Sequence, residues 1–564
     1  MRQYPARVTP VTRRQFLQTG SVALAVTTLP PRSAGAAPSV NRGDNRSDIG
    51  QPCVNPLMPP SAVTDLLDAA LRAAKAAGAT YADVHLMDTR REEWQAFVGL
   101  DARAPWWDTS LGFGVRALVK GSWGFVGLDG VVTPDVAATA GRNAANQAAT
   151  AATGTPRTVE LAPTPVVTGS WTTPIEIDPF TVSLEEKADL IGALNDDIER
   201  LSYQVGVGTT FTLSKQHRSF ASSEGSSTTQ TLYHTGAWLS VDVPRDWQTG
   251  LSGHRSADAF SMVGAGWEYL RQAAVTVRDD APRLIEEALG SRRPKPIDVG
   301  RYDLVFDANA IASILGTSIG VATELDRAMG YEANGVGTSY LSDPLTMLGT
   351  YKVGSPLLTV TANRSMPGGA ATLQWDEEGV APREITLVNE GILTDYQTTR
   401  EAASWLAPYY QQIGHPVASN GCAGMYEATD FMQQHSPNLV MRPGPHALSF
   451  ADLVKNTKRG LAIVGGTSYL GGMSYSDQQV LNGRGSGEIV YEIVNGKLAG
   501  TISGAEFVYR SPEFWKGLAA VGGAASARTF GIRRSRTNGW RGTFHSVTAV
   551  PVLVTGVAVS DVLR

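Results

Sequence analysis

Between Asp307 and Thr338 the chain reads DANAIASILGTSIGVATELDRAMGYEANGVGT, and no other stretch constrains the fold as tightly. Ile311, Leu315, Ile319, Ala322, Leu325 and Met329 recur at steps of three and four residues, the period of an amphipathic helix with one buried stripe. The spacing predicts a helix running to Met329, stopped by Gly330 and followed by Gly335 and Gly337. Such a stripe has to be covered by other elements, so a layered domain is expected around it. Chemically the same helix is blank: Gly316, Thr317, Ser318, Gly320 and Val321 offer no metal ligand.

The N-terminus reads as an address. Thr12-Arg13-Arg14-Gln15-Phe16-Leu17 resembles the twin-arginine export motif, followed by the apolar run Ser21–Leu29 and the small residues Ala34-Gly35-Ala36. Residues 1–36 are therefore expected to be a signal peptide, with a mature protein that folds before export to a periplasmic or extracellular compartment. Residues 37–60, rich in Pro, Asn, Gly and Ser, read as a flexible leader.

Charge and cysteine narrow the function classes. The first 36 residues hold five arginines and no acid, so their removal moves the formal charge from −5 to −10. No basic field invites nucleic acid. With no uninterrupted apolar run of ~20 residues, no membrane span is expected after signal removal. Cys53 and Cys422 are the only cysteines, so structural zinc of the C-x-x-C kind is excluded, and whether the two pair is left open.

Patterning in the rest of the chain predicts an α+β protein. Ser61–Ala77 reads as a helix stopped by Gly78, Tyr81–Met87 as a strand, and Leu111–Leu118 with Ser122–Gly127 as a hairpin about Lys120-Gly121. An alanine-rich helix is expected from Thr133-Pro134 to about Thr150. Residues 152–181 read as a connection, and Ser183 with Glu186 as a capping box for a helix reaching Leu201. Strands are expected at Tyr203–Leu213, Thr228–His234 and Ala237–Val243, a short helix at Pro282–Leu289 and a buried strand at Tyr302–Phe306. Farther on, Leu357–Ala362, Glu384–Val388, Gly460–Val464 and Glu488–Val494 read as strands.

Several of these segments carry a family resemblance. TELDRAMGYEANGVGTSY, then GSPLLTVTANRS, DEEGVAP and SNGCA, resemble the central region of TldD/PmbA metallopeptidases, and Gly112–Phe125 resembles part of their N-terminal domain. The resemblance spans roughly residues 62–563. It implies a helix-flanked N-terminal domain and a larger, mostly antiparallel β-rich C-terminal domain, which we place at 61–290 and 291–564. It also implies proteolysis by a zinc centre, since the TldD branch carries H-E-x-x-x-H just before A-T-E-L-D-R. Laid on this chain, the first His falls on Gly316, the Glu on Thr317, the second His on Val321, and a Cys ligand near the C-terminus on Val550. No zinc or other cofactor is therefore expected here.

The resemblance further implies subunits that work in pairs, one with metal and one without, around a cavity that admits peptides. A homo- or hetero-oligomer with a TldD/PmbA paralogue is expected, with Glu324, Asn420, Cys422 and His435 as candidate peptide contacts. Three readings follow: a catalytically silent partner subunit, an active metal-dependent peptidase with relocated ligands, or a structural or scavenging binding protein. For relocation, His415, His435 and His446 lie near Cys422, and His545 lies five residues before Val550, but none has a known ligand rhythm. No G-x-S-x-G elbow is present; Gly466-Thr467-Ser468 and Gly472-Met473-Ser474 read as turns and Gly121-Ser122 as part of a hairpin. The G-x-G at Gly112–Gly114 lacks the following helix of a dinucleotide fold.

Overall fold

The eight-stranded N-terminal sheet has two short strands off its main path, Gly253–Ser256 and Met262–Val263, and six along it: β1 (Tyr81–Ala96), β2 (Trp106–Val119), β3 (Ser122–Asp129), β4 (Thr168–Thr172), β5 (Gly206–Ser222) and β6 (Ser227–Val243). Their order is β3-β2-β1-β5-β6-β4, antiparallel except where β4 runs parallel to β6. This computed structural model describes residues 59–97, 105–154, 158–245, 252–292, 294–466, 475–476, 478–535 and 542–563. The expected signal peptide, almost all of the leader, and Cys53 lie outside the described residues, as do Thr467, Ser468 and Gly472–Ser474.

Alternation along the strands sorts their side chains. Ala82, Val84, Leu86, Trp94 and Ala96 of β1 share one face, together with Phe211 and Leu213 of β5. Four helices cover that face. Pro60–Ala76 and Pro134–Ala151 pack at one end over Val84 and Val115, and Leu184–Glu199 and Trp267–Gly290 at the other over Trp94 and Phe211. Lys120 and Gly121, at φ 49° and 75°, make the expected two-residue turn between β2 and β3.

Several expectations are corrected in this half: β1 runs past Met87 to Ala96, and β4 lies inside the expected connection at 152–181. β6 is one continuous strand rather than two, because Thr235 and Gly236 stay in the ladder and pair with Val263 and Met262. The segment from Pro282 is the second half of a 24-residue helix. Trp267, Leu270, Ala274, Val277, Ala281, Leu284 and Ile285 continue one buried stripe through the proline. Burying each large aliphatic is worth about 1.5–3 kcal/mol, enough to offset the ~3 kcal/mol of an interior proline. The Ser183 cap is half a box: Ser183 Oγ accepts from Glu186 N at 3.1 Å, while the Glu186 carboxylate accepts from Trp267 Nε1 at 2.8 Å.

The C-terminal half has two large, mostly antiparallel sheets with the organising helix between them, and a two-stranded sheet of Ala423–Gly424 with Gln433–Gln434. One sheet centres on Gly300–Phe306, flanked by Val552–Asp561 and, in parallel, Arg459–Val464. The other contains Val360–Asn363, Asn438–Met441 and Gly542–Ala549. Ile311, Leu315, Ile319, Ala322 and Leu325 are fully buried in the core that joins them. The helix is not continuous to Met329, however. Ala308–Leu315 is α-helical, Gly316–Val321 is a π-helical turn, and Glu324 is extended before the short Leu325–Ala328 turn. The hydroxyls of Thr317, Ser318 and Thr323 each bond the carbonyl four residues back, competing with the regular ladder. At Gly320 a β-carbon would stand 2.7 Å from Leu439 Cδ1, so the glycine lets the turn close on the second sheet.

The two halves are joined by charge as well as packing. Glu378 accepts from Arg116 Nη2 at 3.1 Å, Glu377 pairs with Arg218, and Arg400 is bidentate to Glu224 at 2.8 and 3.0 Å. Met87 of β1 meets Ala423, Met425, Ala428 and Met432 on the side away from the helices. Gly114 sits at that junction: a β-carbon there would fall 1.9 Å from Ala428 O. The Gly112–Gly114 pair is thus a site of close packing within a strand. Among the described residues no helix is long and apolar enough to cross a membrane.

Candidate functional site

The uncovered face of the N-terminal sheet is the floor of a cavity of about 280 Å³. Strand register writes that floor in rows. Trp106, Glu93 and Thr212 are cross-strand neighbours, then Asp108, Arg91, Ser214 and His234, then Thr89, Gln216 and Leu232; Arg218 of β5 ends the series opposite Met87. Loops of the C-terminal half form the roof, including Arg364, Tyr426, His435, Ser436 and Phe544.

Polar contacts tie floor to roof. Gln216 Nε2 donates to Tyr426 O at 3.1 Å and to Thr89 Oγ1 at 2.9 Å. Arg91 donates to Asp108 Oδ2 at 2.6 Å and lies over the Tyr426 ring, 4.6 Å from its centroid. His234 Nε2 is 2.8 Å from Ala370 O, so this nitrogen carries the proton and donates. Burial, helped by the Arg218 charge, pushes the His234 pKa down to about 4, leaving the ring neutral near pH 7. His435 Nδ1 is 2.9 Å from Thr543 Oγ1.

Behind the roof is a second polar group. Ser436 Oγ donates to Glu324 Oε1 at 2.7 Å, and Arg534 Nη2 lies 3.5 Å from Glu324 Oε2. His545 is buried beside them with neither ring nitrogen hydrogen-bonded. Burial and then the Arg534 charge hold its pKa near 4, against an opposing pull from Glu324.

The positions on which the sequence resemblance lays metal ligands fall in this neighbourhood. A β-carbon on Gly316 would lie 3.4 Å from Ile532 Cδ1 and 3.6 Å from both His545 Nε2 and Val547 Cγ2. Thr317 turns its hydroxyl back to Ser313 O, while Val321 and Val550 are part of the apolar core. Zinc takes lone pairs from thiolate, imidazole or carboxylate. Glycine and valine have none to give; the donors at hand are His545 and the Glu324 carboxylate, which Ser436 and Arg534 already engage. Among the described residues no group of three or more His, Cys, Asp or Glu is placed to hold a metal ion. The residues present do not fit the group.

Of the four residues expected to touch peptide, His435 lines the cavity. Glu324 is buried behind Ser436, outside the lining. Asn420 accepts from Arg383 Nε and donates to Tyr396 O, each at 2.8 Å, as a buried brace. Cys422 is buried and its thiol is pushed up to about 12 by burial, so it stays protonated near pH 7. Its backbone reaches the site instead, accepting from His435 N at 2.8 Å. His415 and His446 are exposed and do not line the cavity. Sequence reasoning missed the floor itself, because the expected strand ended at Met87. The signal was present: Thr89, Arg91 and Glu93 alternate with the inward Trp94 and Ala96, and Thr212, Ser214 and Gln216 with Phe211 and Leu213.

Comparison with known proteins fits this geometry. Residues 299–561 match the PmbA/TldA metallopeptidase C-terminal domain. The metalloprotease MJ0996 of Methanocaldococcus jannaschii is 23% identical over 363 residues, 64% of this chain and 73% of its own. A metalloprotease of Methanothermobacter thermautotrophicus is 24% identical over 362 residues, 63% of this chain and 70% of its own. The crystal structure of TldE from Thermococcus kodakarensis shares the fold, with a TM-score of 0.67 at 14% identity, covering 88% of this chain and all of that one (100%).

Proposed function

This chain belongs to the TldD/PmbA family of metallopeptidases, and we propose that it binds peptides without hydrolysing them by metal chemistry. The observation that carries this reading is the contrast between two neighbouring regions. The cavity floor keeps hydroxyl groups suited to an extended backbone, those of Thr212 and Ser214, in neighbouring rows of the sheet. At the positions where the family resemblance lays ligands and base stand Gly316, Thr317, Val321 and Val550. In metal-bearing relatives a bound zinc would polarise the scissile carbonyl and activate water; no step of that kind is assigned to this chain.

A subunit of this sort has a use as one half of an enclosed chamber. The working form is therefore a hetero-oligomer with a metal-bearing paralogue, a reading supported by the shared fold with a protein named TldE. The Arg13-Arg14 motif supports export by the twin-arginine route, with assembly before translocation.

Peptide binding is tested directly with the purified mature chain and a fluorescein-labelled, unstructured decapeptide, by anisotropy. Binding should saturate, and Ser214→Trp, which fills the middle of the floor, should weaken it at least about tenfold by steric exclusion, a loss of some 1.4 kcal/mol. If the peptide fails to bind the wild type, or binds Ser214→Trp equally well, the reading is wrong.

A further inference from the structure

One end of the cavity carries a guanidinium that no carboxylate of the described residues pairs with directly. Arg364, in the loop after Val360–Asn363, is 6% exposed and lines the cavity. Its Nε donates to Ala371 O at 3.2 Å, and its Nη1 to Gly421 O and Ala423 O at 3.0 Å each. All three acceptors are neutral carbonyls, and no carboxylate oxygen of the described residues lies within 4.0 Å of the guanidinium. Nη2 makes no hydrogen bond and is absent from the buried unsatisfied atoms, so it keeps solvent access. The three carbonyls fix the plane of the group, leaving its Nη2 edge available to a ligand.

Arg218 adds to the same end. It is paired with Glu377, and its pKa is lowered by burial and by the nearby positive charge of Arg364. Glu377 is the carboxylate paired there; Asp376 is near enough to feel the Arg364 charge, and burial raises its pKa to about 7. The acids that line the cavity are elsewhere: Asp108 is bound to Arg91, and Glu93 lies in the row of Trp106 and Thr212. From Thr212 to Arg218 is six residues along β5, about 20 Å of extended strand. At the Asp108 end acid and cation are paired through Arg91, whereas Arg364 at the other end has no carboxylate in direct contact.

We propose that the Arg218–Arg364 end is a carboxylate subsite, which takes either the free C-terminus or an Asp or Glu side chain of a bound peptide. This rests on the reading of the cavity as a peptide site. A guanidinium already held in place loses little conformational freedom on binding, and a charge-assisted pair in a partly dry cavity is stronger than one in water.

Three N-acetylated, alanine-rich decapeptides test it by calorimetric titration of the purified mature chain: one with a free C-terminus, its C-terminal amide, and that amide with one central Glu. At least one carboxylate peptide should bind tenfold or more tightly than the neutral amide, and which one does so identifies the source of the carboxylate. Arg364→Gln should collapse that ratio toward one, and Arg364→Lys should keep part of it. Equal binding of all three peptides to the wild type overturns the subsite and leaves the peptide reading standing. A ratio that survives in folded Arg364→Gln also overturns it. Binding of none of the three overturns both. The wild-type series decides the matter even if the Arg364 variants fail to fold.

Discussion

The imidazole of His545 lies against Gly316, with Nε2 3.6 Å from the point that a β-carbon on the glycine would occupy. Neither ring nitrogen is hydrogen-bonded, and burial holds the ring neutral with a pKa of about 4 against an ordinary 6.5. The unfolded chain binds a proton that the folded chain refuses. This contribution to stability is complete above pH 6.5 and is lost as pH falls from 6.5 toward 4, by up to about 1.4 kcal/mol per pH unit. His545→Leu should reduce that slope between pH 6.5 and 5 in urea titrations. An identical slope in the variant would show that His545 is not a buried neutral imidazole.

The contact between the halves makes its own test. Gly114 leaves no room for a side chain, since a β-carbon would meet a backbone oxygen at 1.9 Å. Gly114→Ala should cost about 1–3 kcal/mol through overpacking, and weaken peptide binding by shifting the loop that carries Tyr426. Thermal unfolding within about half a kcal/mol of wild type, the range of an ordinary surface change, would contradict this close approach.

The helices and hairpin that begin the chain were legible because local signals decide them: the Thr133 cap, the Gly78 stop and the Lys120-Gly121 turn. The organising stripe was legible as burial, but its geometry was not. Ile311, Leu315 and Ile319 are buried as their spacing requires, yet hydroxyl back-bonding and the close approach of Leu439 at Gly320 turn the middle of the segment into a π-helical turn. Pro282 misled because a proline is a local signal, whereas the stripe that overrides it extends over 24 residues. Arg364 was invisible because its importance comes from three carbonyls, one on the 371 loop and two near residue 422, brought together only by the fold.

Export is tested by replacing Arg13 and Arg14 with lysine. The precursor should then accumulate in the cytoplasm while the wild type is processed and exported. Undiminished mature protein outside the cytoplasm would remove the twin-arginine reading.

The proposed partner role makes a prediction about assembly. Co-expression with a metal-bearing paralogue from the same source should give a complex larger than the 59.9 kDa precursor chain by light scattering, surviving size exclusion. A monomer that elutes apart from that paralogue at micromolar concentration would contradict a partner role.

The central claim is that the organising helix has kept its packing and lost its reaction, and zinc content tests it most directly. Purified mature protein, dialysed against a slight excess of zinc and then desalted, should retain less than about a tenth of an equivalent by mass spectrometry, for want of ligands. Gly316→His, Thr317→Glu, Val321→His and Val550→Cys combined should raise that figure toward one. A full equivalent of zinc held by the unmodified protein would contradict the account.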